Sequence, residues 1–218
     1  MSTKTFQRPT STQRAVLDEL RRLIHTGQLQ PGQQVRQEEV AASLGTSVIP
    51  VREALKTLQS EGMLIHHPNR GFFVTKLNRD ELIELCLIRS ALESLAVEKA
   101  LAVLDDSVIE QMSELITAME NSDKNENLEE LVRLDRAFHF TLFAASRSPQ
   151  LLRLIDITWD QSDAYRSAFF VDPEHRAATH REHRKILNAA TARDADTVTL
   201  LLDAHRLTPV QTFSERTL

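Results

Sequence analysis

The chain has 218 residues, 26 Lys+Arg against 31 Asp+Glu, five glycines and one cysteine. The single cysteine, Cys86, rules out an internal disulfide framework and fits a reducing cytosol. No apolar run approaches membrane-spanning length and the first residues carry no apolar signal core, so a cytoplasmic protein with no membrane partner is expected.

Charge is unevenly placed. Residues 1–78 hold 10 Lys+Arg and 6 Asp+Glu, a net of +4; residues 79–218 hold 16 and 25, a net of −9. All five glycines lie before residue 77. A basic, glycine-containing module followed by an acidic, glycine-free one predicts two domains, 1–76 and 77–218, each large enough for its own core. The basic module suits phosphate contact, and the acidic one would be repelled by DNA.

Residues 1–10 are polar and are expected to fray. Thr12 to His25 reads as an amphipathic helix, broken by Gly27 and Pro31-Gly32. Val40, Ala41 and Leu44 form a short helix that Gly45 ends. Ser47 is placed to cap a second helix, on which Val51, Ala54, Leu55 and Leu58 share a face. Two helices joined by a short glycine turn make a helix-turn-helix, whose second helix enters the major groove of double-stranded DNA. Gly62–His67 and Phe72–Thr75 are strand-like, with turn chemistry at Pro68-Asn69-Arg70-Gly71, and so predict a small β wing.

From Asn78 onward the periodicity is helical. Asn78 with Glu81, and Ser107 with Glu110, have capping-box spacing. Leu82, Leu85, Ile88, Leu92, Leu95 and Ala96 form one stripe. Further helices are expected near 107–121, 127–146, 149–169, 175–192 and 195–207, with residues 121–127 as a loop and Pro149 and Pro173 at or just before helix starts. The expected fold is mainly α: an N-terminal winged helix-turn-helix and a C-terminal antiparallel all-α bundle.

Two resemblances rest on these residues. Gly27, Pro31-Gly32, Ala41/Leu44-Gly45, Ser47, Pro50-Val51-Arg52-Glu53-Ala54-Leu55, Gly62 and Arg70-Gly71-Phe72-Phe73-Val74 resemble the GntR family of bacterial transcription regulators over about residues 12–76. Arg89-x3-Glu93, Asp135-x3-His139, Glu182-His183 and Asp203-Ala204-His205 resemble the FCD effector domain of the family's FadR-type branch over about 79–210. The resemblance implies a homodimeric regulator, most simply a repressor, on a pseudo-palindromic operator. It also implies a helical domain that binds a small carboxylate effector and often a divalent metal.

Spacing supports a metal set of Asp135, His139, His183 and His205. Asp135 and His139 lie one turn apart. His183 and His205 are each eleven residues from Asp194, so an antiparallel hairpin centred there brings them level. Three imidazoles and a carboxylate suit Zn²⁺, Ni²⁺ or Mn²⁺. His180 is a substitute ligand or an outer partner; His175, His66, His67 and His25 read as ordinary.

Arg89 has two readings: a surface ion pair with Glu93, or a guanidinium fork turned into the cavity to grip the effector carboxylate. Trp159, Tyr165, Phe169 and Phe170 read as core or pocket wall. The DNA-facing set is Ser47, Val48, Ile49, Arg52, Lys56, Arg70 and Gly71. Val48 and Ile49 stand where many relatives carry Arg and Thr, so they contact bases or pack against the wing. The usual acidic residue at the start of the preceding helix is Gln37 here. The chain is not expected to be an enzyme; the alternatives kept open are a metal-dependent hydrolase or lyase carrying a winged helix, and a pure metal sensor.

Overall fold

The computed structural model describes residues 12–216. The expectation of a frayed segment at 1–10 lies outside them. Among the described residues are nine helices and one three-stranded sheet.

Helix α1 spans Thr12–His25 and buries Val16, Leu20 and Ile24, which recur every four residues along one face. Strand β1, Gln34–Val35, was not expected; two residues carry no period for a sequence reading to detect. Helix α2 is Gln37–Ser43 and ends on Gly45, whose φ of +60° is the left-handed conformation that stops a helix. Helix α3, Val48–Ser60, buries Val51, Ala54, Leu55 and Leu58, the face read from the sequence. Ser47 stands at its N-cap position, yet its side chain makes no capping hydrogen bond.

Strands β2 (Leu64–His67) and β3 (Gly71–Val74) pair antiparallel from Leu64↔Val74 to His67↔Gly71. β1 joins the outer edge of β3, giving the order β1-β3-β2. The core of this module gathers Leu20, Leu55, Leu58, Met63, Leu64 and Phe72 between α1, α3 and the wing.

The rest is a six-helix bundle: α4 Arg79–Leu101, α5 Asp106–Lys124, α6 Leu128–Ala144, α7 Pro149–Phe169, α8 Pro173–Thr191 and α9 Ala195–Arg216. Both halves of the Asn78–Glu81 capping box are formed. The box read at Ser107–Glu110 is not. Asp105 is the N-cap of α5 instead, accepting from the Ser107 amide, because a carboxylate two residues earlier reaches that N–H first. The polar cluster 121–127 is mostly helical: α5 runs to Lys124, and Asn127 caps α6 by accepting from Glu130 N.

The α4 stripe also departs from expectation. Leu82, Leu85 and Ala96 are buried, but Ile88 and Leu95 are 46% and 44% exposed. The seam facing the bundle passes through Cys86, Arg89, Glu93, Ala96, Val97 and Ala100. Arg89 and Glu93 enter that seam because they neutralise each other there, which turns their apolar neighbours outward. The bundle core is aromatic, with Phe138, Phe143, Trp159 and Phe170 all essentially inaccessible. Burying side chains of this size stabilises by roughly 1.5–3 kcal/mol each.

The two modules meet along α1 and α7. Gln161 donates to the Glu61 carbonyl at 2.9 Å, and Gly62 sits close by at φ +79°, where a Cβ would lie 2.6 Å from Gln161 Nε2. Tyr165 Oη accepts from the Leu77 amide at 2.6 Å and fixes the connecting segment.

Candidate functional site

Helices α6, α8 and α9 bring Asp135, His139, His183 and His205 together. One ligand atom from each lies within 4.8 Å of every other. His183 Nε2 is 3.2 Å from His139 Nε2 and 3.2 Å from Asp135 Oδ1. Two ligands held about 2.0–2.1 Å from one ion lie roughly 3–3.5 Å apart, so these separations suit a shared cation. The α8–α9 hairpin closes near Asp194, which accepts from the Thr197 amide at 3.0 Å. It sets the His183 and His205 rings 4.9 Å apart, as the eleven-residue spacing requires.

The burial and electrostatics of the cluster are compatible with a cation. Asp135 and His183 are fully buried, and both Asp135 oxygens and His183 Nδ1 lack hydrogen-bond partners among the described residues. Such orphaned buried groups are costly unless something satisfies them. Burial pushes the Asp135 carboxyl up, but the Arg166 guanidinium and the imidazoles outweigh it and hold it far below the usual range. Burial also keeps His139 and His183 below the ordinary histidine value, in the neutral form that ligates metals. Glu182 Oε2 accepts from His205 Nδ1 at 2.7 Å, which leaves Nε2 of that ring free to face the cluster. His180 does not join: it pairs with Asp123 at 3.0 Å. His175 stacks on Phe169 at 4.0 Å.

Beside the cluster lies a cavity of about 50 Å³. Its walls include Trp159, Tyr165, Phe169 and Phe170, as expected of them, with His205 from the cluster. Three arginines, Arg89, Arg166 and Arg206, line it. Arg89 departs from the first reading, because its pair with Glu93 lies inside the bundle and not on a solvated face. It pairs with Glu93 (2.9 Å), but that pair is buried, and it faces the cavity while donating to Ser162 Oγ (2.9 Å) and stacking 4.2 Å over Trp159. Glu93 also accepts from Trp159 Nε1 (2.7 Å) and Arg206 Nη2 (2.5 Å).

Arg166 and Arg206 were absent from the sequence reading. A signal was available for the first: Asp156, Asp160, Asp163 and Arg166 form a charged stripe at helical spacing on an otherwise mixed helix. Arg206 adjoins His205 and carried no signal of its own.

At the other end of the chain, Ser47, Arg52, Lys56 and Arg70 are all exposed. Arg52 reaches back to Gln37 at 3.4 Å, and Lys56 to Glu53 at 2.9 Å. The Arg70 guanidinium lies 5.3 Å over Phe73 in the wing, and Gly71 opens β3 at φ +89°. Val48 and Ile49 part company: Val48 packs on the module core, whereas Ile49 is 70% exposed at the start of α3.

Residues 12–74 match the bacterial regulatory proteins of the gntR family, and residues 84–208 match the FCD domain. This chain belongs to the GntR family. It is 31% identical to the Nta operon transcriptional regulator of Aminobacter aminovorans over 80% of this chain and 81% of that protein. It is 30% identical to the uncharacterized HTH-type regulator YdhC of Bacillus subtilis (strain 168) over 92% and 90% of the two chains. In fold it is similar to E. coli McbR/YncC, with a TM-score of 0.86 at 23% identity, covering 96% of this chain and all of that one. This GntR-family protein is therefore a DNA-binding transcription regulator, and the hydrolase or lyase alternative falls away. No helix among the described residues is long and apolar enough to cross a membrane.

Proposed function

We propose that this regulator senses a small organic acid through a divalent metal held by Asp135, His139, His183 and His205. The observation that carries the reading is the convergence of four buried or half-buried donors, within 4.8 Å of one another, beside an arginine-lined cavity. A bound divalent cation would supply open positions for ligand oxygens. The chain's own residues do the rest: Glu182 orients His205, the aromatic wall excludes water, and the arginines supply positive charge for a carboxylate. Zn²⁺, Ni²⁺ and Mn²⁺ suit this donor set.

Residues 1–76 form the DNA-binding domain in this reading, and 77–218 the effector and dimerisation domain. Ser47, Arg52, Lys56 and Arg70 line the nucleic-acid face. Ile49 is free to touch a base edge, and Gly71 lets the wing turn closely. Two copies pair on a pseudo-palindromic operator in the cytoplasm and act as a repressor. The exposed Leu87, Ile88 and Leu95 on α4 support its role as a pairing surface.

The test is operator binding by fluorescence anisotropy, on the protein stripped with chelator and then reloaded with Zn²⁺, across a panel of small carboxylic acids. An acid that releases operator only from the reloaded protein supports the reading. Operator affinity indifferent to metal and to every acid would remove it.

A further inference from the structure

The cavity is lined by three arginines; two make aligned hydrogen bonds through their side chains, although Arg206 Nε has no partner among the described residues. Arg89 makes aligned hydrogen bonds to Glu93 and Ser162, and Arg206 to Glu93 and Asp203. Arg166 differs. Its Nε is 3.1 Å from Asp135 Oδ2 and its Nη2 is 2.7 Å from Asp163 Oδ1. Neither contact has hydrogen-bond geometry, so both donors are buried without an aligned acceptor. Its guanidinium lies 4.3 Å over the Trp159 ring at the cavity wall. It is therefore held by charge and stacking, with Nε and Nη2 left without an aligned acceptor.

We propose that Arg166, rather than Arg89, supplies the fork that grips the effector carboxylate, and that Asp163 passes the event to the DNA-binding module. This rests on the carboxylate-sensing reading above and names its gripping residue. A planar fork gains most from an acceptor that meets two donors in line, and a carboxylate in the cavity can do so where Asp135 and Asp163 do not.

Asp163 stands between the two modules. Its Oδ1 faces Arg166. Its Oδ2 accepts from Arg136 Nη1 at 2.7 Å and lies 3.7 Å from His25 Nε2 on α1. Asp160, one turn earlier, is 3.2 Å from the same His25 nitrogen and 3.6 Å from Arg21 Nε. Arg21 in turn binds the Glu61 carboxylate, just past the end of α3, at 2.6 Å. When Arg166 turns to the effector, Asp163 loses one of its cations. The charge facing α1 becomes more negative, and the α1–α7 contact tightens. The acid thus prefers one placement of α1, which is the differential affinity that any ligand-driven shift requires.

Calorimetry on the full-length, Zn²⁺-loaded protein tests this with acetate, propionate and succinate as probes. Arg166→Lys keeps a positive charge between Asp135 and Asp163 but loses the fork. It should weaken carboxylate binding by about tenfold or more while one Zn²⁺ per chain is retained. Asp163→Asn should do the opposite and tighten binding several-fold, because Arg166 is no longer shared; a purely structural role for the pair would not give opposite signs. Hydrogen exchange should show α1 slowing on probe addition in wild type and not in Asp163→Asn. Unchanged affinity in Arg166→Lys overturns the assignment, as does zinc uptake with no probe bound by wild type. Probe binding without any change at α1 overturns the relay. Failure to take up zinc sinks the metal reading first and this inference with it.

Discussion

Glu93 concentrates the chemistry of the cavity in one side chain. It accepts from Arg89, Trp159 and Arg206 while almost wholly buried. Burial pushes its carboxyl up, but the two guanidinium groups outweigh this and hold it below the usual range. The unfolded chain then binds more protons than the folded one, so this stability is present above the ordinary glutamate value of about 4.3 and is lost as pH falls below it. Urea unfolding at pH 7, 4 and 3 should show progressive loss, and a flat profile would contradict it. Glu93→Gln leaves two buried cations undercompensated and should cost about 3–5 kcal/mol. The sequence showed Arg89 and Glu93 as neighbours one turn apart but gave no means of knowing that the pair is buried, because Trp159 and Arg206 come from distant helices.

At the scale of elements, the helices were legible wherever period and punctuation agreed. Val51, Ala54, Leu55 and Leu58 gave the inner face of α3, and Gly45 the end of α2. The α8–α9 hairpin could be placed from the equal spacing of His183 and His205 about Asp194. What could not be read was which of two adjacent apolar rows on α4 faces inward. The buried row contains an ion pair, and the exposed row contains Leu87, Ile88 and Leu95. If α4 is the pairing surface proposed above, introducing charge there, as in Ile88→Asp with Leu95→Asp, should convert the proposed dimer to monomer without unfolding, as read by light scattering. An unchanged dimer would move the pairing surface elsewhere. On α3, Arg52 is exposed and free apart from its long contact with Gln37. Arg52→Ala should weaken operator binding by on the order of 1–3 kcal/mol if it reads a base, and unchanged affinity and salt slope would remove it from the interface.

Over the whole molecule, the uneven charge seen in the sequence divides the work. The winged module is basic and suits phosphate contact, and the bundle that holds the proposed sensor is acidic. The two are joined through α7, whose one face holds Trp159 and Arg166 at the cavity while Asp160, Gln161 and Asp163 reach the winged module. The convergence of Asp135, His139, His183 and His205 was legible because their spacing is regular and the resemblance to the FCD domain singled them out. The contacts of Arg166, Asp160 and Asp163 were not, because arginines and aspartates are common on helix surfaces and only the packing of α1 on α7 brings these ones together with His25 and Arg21. The central claim is that these four donors form one metal centre, and a Zn²⁺ titration of chelator-stripped protein by calorimetry tests it most directly. Wild type should take up one ion per chain, and the His183→Ala, His205→Ala double variant, still folded by circular dichroism, should take up none tightly. No uptake by wild type, or full uptake by the double variant, would contradict it.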